Sequence, residues 1–187
     1  MAKENGDRFK ELIVYISRKC SSDDTFGATK LNKILFFCDF LRFGELGTSI
    51  TGEEYWKLPN GPAPKRLIQV KSEMLNKDVA EIQRPYFGKF QKRLVPLREP
   101  NLKVFSPEEI AFIDEVISAI GGRNASEVSR LSHDKSVGWW NVGIKEVIPY
   151  ETVFFPNPEE VVHSEEDRIY SKELGRRLGW DTAYGWN

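Results

Sequence analysis

The chain has 187 residues, 40% of them apolar, 29% charged and 12% aromatic, with a formal net charge of -1. That balance describes a single folded domain with apolar surface enough for a core, and it is too aromatic for a disordered segment. The near-neutral charge excludes a globally basic nucleic-acid binder and equally a polyanionic decoy.

Cys20 and Cys38 are the two cysteines. They supply neither a disulfide framework nor a CxxC zinc signature, and their apolar settings predict reduced, buried thiols in a cytoplasmic protein. The N-terminus MAKENGDRFK has no apolar stretch behind it, so no secretory signal is read there. The longest apolar run, Ile34 to Cys38, is too short to cross a bilayer, and no membrane association is expected.

In chain order, Phe9, Leu12, Ile13 and Ile16 fall on one helical face and predict a helix from about Asp7 to Cys20. Ser21 to Gly27 is turn chemistry. Leu31, Ile34, Leu35, Cys38 and Leu41, with Phe36, Phe37 and Phe40, predict a second helix over about 28–43, ended by Gly44. Its apolar girth is too broad for one exposed face, which makes it the central helix. Thr51 with Glu54 three residues on reads as a capping box opening a short helix. Pro59, Pro62 and Pro64 must then break it. A further helix is expected over about 63–76.

Val79 to Arg84 and Phe90 to Leu97 are extended stretches that predict a β-hairpin joined through Pro85 to Lys89. Ser106-Pro107-Glu108-Glu109 is a helix start with Ser as N-cap, Pro at the first position and Glu at the third. Ile110, Ile113, Ile117 and Ile120 continue that helix to Gly121-Gly122. Asn124 with Glu127 caps a short helix reaching about Ser132. Val137 to Tyr150 is aromatic and irregular, and Pro158 to Leu178 reads as a charged helix. The class is α+β, mainly α: a helical domain with a small antiparallel sheet.

The constellations that could carry chemistry are thin. Ser132-His133-Asp134 has triad composition, but consecutive residues diverge in direction and cannot form a nucleophile–base–orienter relay. His133 and His163 alone, without clustered cysteines, do not build a metal site, and no cofactor motif is present. Gly44-Glu45-Leu46-Gly47 follows a helix instead of opening one, the wrong geometry for a phosphate cradle. Lys89, Lys92, Arg93 and Arg98 with Tyr86, Phe87 and Phe90 place basic and aromatic residues together on the hairpin. A solvated face with its aromatics turned into the core is the expected reading there, because net charge gives no overall pull on phosphates. Lys30, Lys33 and Asp39 interrupt an otherwise apolar helix and need partners, such as backbone carbonyls.

Lys30-Leu31-Asn32-Lys33-Ile34-Leu35-Phe36-Phe37-Cys38-Asp39 is followed by Ile50-Thr51-Gly52, Tyr55 and Gly61-Pro62, then by Ser132-His133, Trp139 and Ile148-Pro149-Tyr150. In this order and spacing the residues resemble the Panacea domain, the SocA-like antitoxin family of bacteria and phages, over roughly residues 8–152. The family pattern says little about residues 153–187, expected to be a charged helix and an aromatic tail extending the same domain. Some members carry an added DNA-binding helix-turn-helix domain, for which this chain leaves no length.

The resemblance implies a non-enzymatic antitoxin that binds and neutralises a protein toxin encoded nearby. Lys30, Lys33, Tyr55, Trp56, Asn60, Gly61, Pro62, His133 and Trp139 are the candidate partner-binding residues. An adaptor delivering the bound toxin to an energy-dependent protease is the alternative, with the tail as handle for the protease. A hydrolase or nuclease, resting on His133 and scattered carboxylates, is a further one.

Overall fold

The computed structural model describes residues 2–86, 88–124, 126–129 and 141–155, within a compact unit that runs to Phe155. The expected C-terminal helix from Pro158 to Leu178 and the tail lie outside the described residues.

Helix α1 spans Ala2–Lys19, and Phe9, Leu12, Ile13 and Ile16 are fully buried, as their spacing predicts. Burying four such side chains contributes roughly 1.5–3 kcal/mol each. Helix α2, Ala28–Leu46, is the central element, with ten residues from Lys30 to Phe40 buried around most of its circumference. It runs through Gly44, which was expected to end it. Within the helix Gly44 sits beside Val153, and Gly47 closes the helix with φ +71°. A left-handed carboxyl cap favours glycine, and Gly47 is the residue that adopts it.

Strands β1 (Tyr55–Leu58) and β2 (Gly61–Pro64) form a tight hairpin, and β5 (Val147–Ile148) pairs on the other side of β1. The register sets Leu58 opposite Gly61 and Tyr55 opposite both Pro64 and Ile148. Two sequence expectations fail here. The segment opened by Thr51 is not a helix: residues 51–54 are irregular and lead into β1. The next helix, α3, is shorter than expected at Leu67–Met74, because Ala63 and Pro64 belong to β2.

Strands β3 (Val79–Tyr86) and β4 (Lys89–Pro96) make a separate eight-pair antiparallel ribbon, as the sequence predicts. After a short 3-10 turn, α4 spans Pro107–Ile120. Its start is a complete capping box: Ser106 accepts from the Glu109 amide, and the Glu109 carboxylate accepts from the Ser106 amide. Asn124 and Glu127 cap residues 126–129 in the same reciprocal way.

Arginines tie these pieces together. Arg8 of α1 donates to the carbonyls of Ile50 and Val104 and to Glu109 at the start of α4. Arg98 pairs with Glu11 and Asp78. Arg93, only 4% exposed, donates to the carbonyls of Cys20, Ser21 and Asp23 just past the end of α1. Two of the four basic residues considered for nucleic acid are therefore bound within the fold. Phe90 does not turn into the core as expected; it is 73% exposed.

Candidate partner-binding site

The polar residues of α2 are frame pieces with defined partners. Lys30 donates to the Asp23 carboxylate at 2.5 Å, the Thr25 hydroxyl at 2.8 Å and the Arg123 carbonyl at 2.9 Å. It joins the α1–α2 connection to the end of α4. Three residues on, Lys33 reaches beneath the β1–β2 turn, donating to the carbonyls of Asn60 at 2.7 Å and Pro62 at 3.4 Å. No carboxylate answers its charge in these contacts, and burial lowers the amine from its usual 10.5 to about 7.

Asp39 holds the other end of the same sheet. It accepts from the Thr51 amide at 2.7 Å, the Thr51 hydroxyl at 2.5 Å and the Tyr55 hydroxyl at 2.7 Å. Burial nonetheless raises its carboxyl to about 6, because three hydrogen bonds recover only part of the lost hydration. Thr51 thus spends its hydroxyl on Asp39, twelve residues upstream, and not on a helix cap. Tyr55 is wholly buried, its ring edge-on to Phe36 and Phe40, and burial pushes its phenol well up. Tyr150 stacks on Phe43 and donates to the Glu53 carbonyl at 2.6 Å. Buried Glu53 pairs with Arg66 at the start of α3.

This geometry gives the sequence pattern a physical meaning. Lys33, Asp39, Thr51, Tyr55, Gly61 and Tyr150 lock a small sheet onto the central helix. Gly61 takes φ +96°, which favours glycine over any residue with a Cβ. Tyr55 points inward, and its neighbour Trp56 is on the opposite face of the strand, partly exposed, with the Lys65 ammonium 5.5 Å from its ring. Asn60 is exposed at the turn.

The candidate residues therefore divide. Trp56 and Asn60 lie at the surface, and Lys30, Lys33, Tyr55, Gly61 and Pro62 are buried, Lys30 against the α1–α2 connection and not the hairpin. His133 and Trp139 fall outside the described residues. Sequence reasoning missed Glu53 and Arg66 as part of the frame, since nothing local marks an ion pair formed between separate elements. Among the described residues no group of three or more His, Cys, Asp or Glu could hold a metal ion, and no helix is long and apolar enough to cross a membrane.

Residues 31–140 match the model of the antitoxin SocA-like Panacea domain family. The chain belongs to this family. No curated protein and no solved structure matches the chain. The Panacea match runs from within the central helix through both hairpins and α4, and β5 and Tyr150 lie just beyond it. Membership carries an antitoxin role and a protein partner in general terms.

Proposed function

We propose that this chain is the antitoxin of a toxin–antitoxin pair, acting in the cytoplasm by binding a toxin encoded by a neighbouring gene. The match to the Panacea family over residues 31–140 carries the reading. Neutralisation is stoichiometric occlusion through a protein interface, without turnover. The β1–β2 hairpin supports it: a buried frame presents Trp56 and Asn60 outward on a rigid base, and a preorganised aromatic anchor is the usual centre of binding energy. On this reading residues 8–152 are the toxin-binding domain and residues 153–187 extend it.

The test is co-expression of the chain with the adjacent open reading frame, scoring growth and co-purification. The neighbour should be toxic alone, and this chain should restore growth and co-purify with it. Trp56→Ala should weaken binding at least tenfold. A harmless neighbour that does not bind would sink the antitoxin reading; unchanged binding by both Trp56→Ala and Asn60→Ala would remove the hairpin from the interface.

A further inference from the structure

A cavity of about 180 Å³ opens between the first turn of α2, the start of α3 and the β3–β4 ribbon. Its floor is apolar, built from Phe26, Leu31, Leu67 and Leu94. Ile68 stands on its rim 83% exposed, a large aliphatic side chain with no packing of its own. The volume is close to the ~150 Å³ of a dry cavity that admits benzene. It is well below the roughly 300–1,000 Å³ of sites that enclose small-molecule ligands. The space therefore suits one branched aliphatic or aromatic side chain, and a nucleotide or cofactor is too large for it.

The polar groups around the mouth are biased in sign. Glu81 is shared between Lys71 at 2.6 Å and Lys92 at 3.8 Å, one carboxylate for two ammoniums. Arg93 also lines the cavity, and its hydrogen bonds go to backbone carbonyls, which leave its charge uncancelled. The N-terminus of α2 opens onto the same space. Gly27 gives it no side-chain cap, and its first turn holds no acidic residue to offset the helix dipole. Finally, Asn32 lines the cavity with its Oδ1 shut off from solvent and without a hydrogen-bond donor.

We propose that this cavity is an anchor pocket for an acidic segment of the toxin, receiving one side chain of leucine, isoleucine or phenylalanine size. Carboxylates flanking that anchor meet Lys71 and Lys92, and Ile68 covers it from the rim. The occupant is assigned by size and charge complementarity. Its identity as the toxin rests on the antitoxin reading above. The pocket adds a second contact surface, distinct in sequence and in supporting elements from the Trp56 hairpin.

Ile68→Asp and Lys92→Glu test it, because both side chains are largely exposed. The purified full-length chain and each variant are titrated with the product of the adjacent open reading frame, and each is also melted and sized alone. Both variants should bind at least tenfold more weakly than the parent, with unfolding midpoints unchanged. Raising salt from about 50 to about 500 mM should narrow the gap between the parent and Lys92→Glu, since the mouth charges are screened. Parental affinity in both variants would overturn the pocket and leave the antitoxin reading standing. Failure of the parent chain to bind would remove that reading, and the pocket's occupant with it. A lowered midpoint in both variants would assign the cavity to the chain's own packing, and self-association lost in both would assign it to a second copy; either overturns the proposal.

Discussion

Replacing Lys33 by methionine keeps the length of the side chain and removes the amine that donates to the carbonyls of Asn60 and Pro62. In the unfolded chain this amine titrates near its usual 10.5, and in the fold near about 7. Between those values the unfolded state holds a proton that the folded state has released, so stability rises with pH. Integrating the two titrations from pH 7 to pH 8.5 gives a gain of about 1.6 kcal/mol, at 1.36 kcal/mol per pH unit when the two states differ by a whole proton.

Cys20 and Cys38 act in the opposite direction. Burial raises both thiols above their usual 9.0, so the unfolded chain loses those protons first and stability falls as pH passes 9. Up to pH 8.5 the pair subtracts only about 0.3 kcal/mol, which sets the upper limit of the useful window. Urea unfolding followed by tryptophan fluorescence at pH 7.0, 7.5, 8.0 and 8.5 reads the effect. The parent should gain about 1.3 kcal/mol across the series, and Lys33→Met should stay level or fall slightly. Because both proteins carry the same cysteines and carboxylates, the difference between the two slopes isolates Lys33. Parallel profiles would mean that water reaches the amine and that the turn is not sealed over it.

Three further outcomes follow from the contacts. Asp39→Ala strands three donors, the Thr51 amide and hydroxyl and the Tyr55 hydroxyl, and should cost about 3–5 kcal/mol in denaturant unfolding; a loss under 1 kcal/mol would refute the network. Ser106→Ala removes one arm of the α4 capping box and should cost about 1 kcal/mol, seen as a drop of a few degrees in Tm with binding unchanged. Arg93→Ala frees three carbonyls near the end of α1 and should destabilise by about 2–4 kcal/mol, while leaving retention on a nucleic-acid column unaltered. A clear fall in retention with intact stability would reverse that assignment.

The helices were legible because their signals are local. The face of Phe9, Leu12, Ile13 and Ile16 and the Ser106–Glu109 box are both written within a few residues, and the fold uses both as expected. The hydrophobic girth of α2 likewise marked it as central. What failed was chemistry that has two uses. Thr51 with Glu54 satisfies the capping pattern, but a buried carboxylate twelve residues upstream competes for the same hydroxyl. Gly44 reads as a terminator, yet the helix runs through it and Gly47, with its left-handed backbone, performs the closure. In the candidate site, the need of Lys30 and Lys33 for partners was visible, and the partners were not: Arg123 lies 93 residues away along the chain. The cavity beside α3 left no local mark, because its lining comes from α2, α3 and the β3–β4 ribbon together.

The outer strand β2 carries a further consequence. In an antiparallel ladder, residues face alternately toward and away from the neighbouring strand. The register leaves Gly61 and Ala63 to donate inward to β1, so the side away from β1 belongs to Pro62 and Pro64, which have no amide hydrogen to offer, and there the Pro62 carbonyl already accepts from Lys33. A foreign chain laid along that margin finds no row of donors to copy, and the sheet cannot be lengthened there by a partner or by another molecule of its own kind. Whatever docks beside the hairpin must be gripped by side chains. Its specificity can then be rewritten at a few surface positions, while the backbone beneath keeps its register.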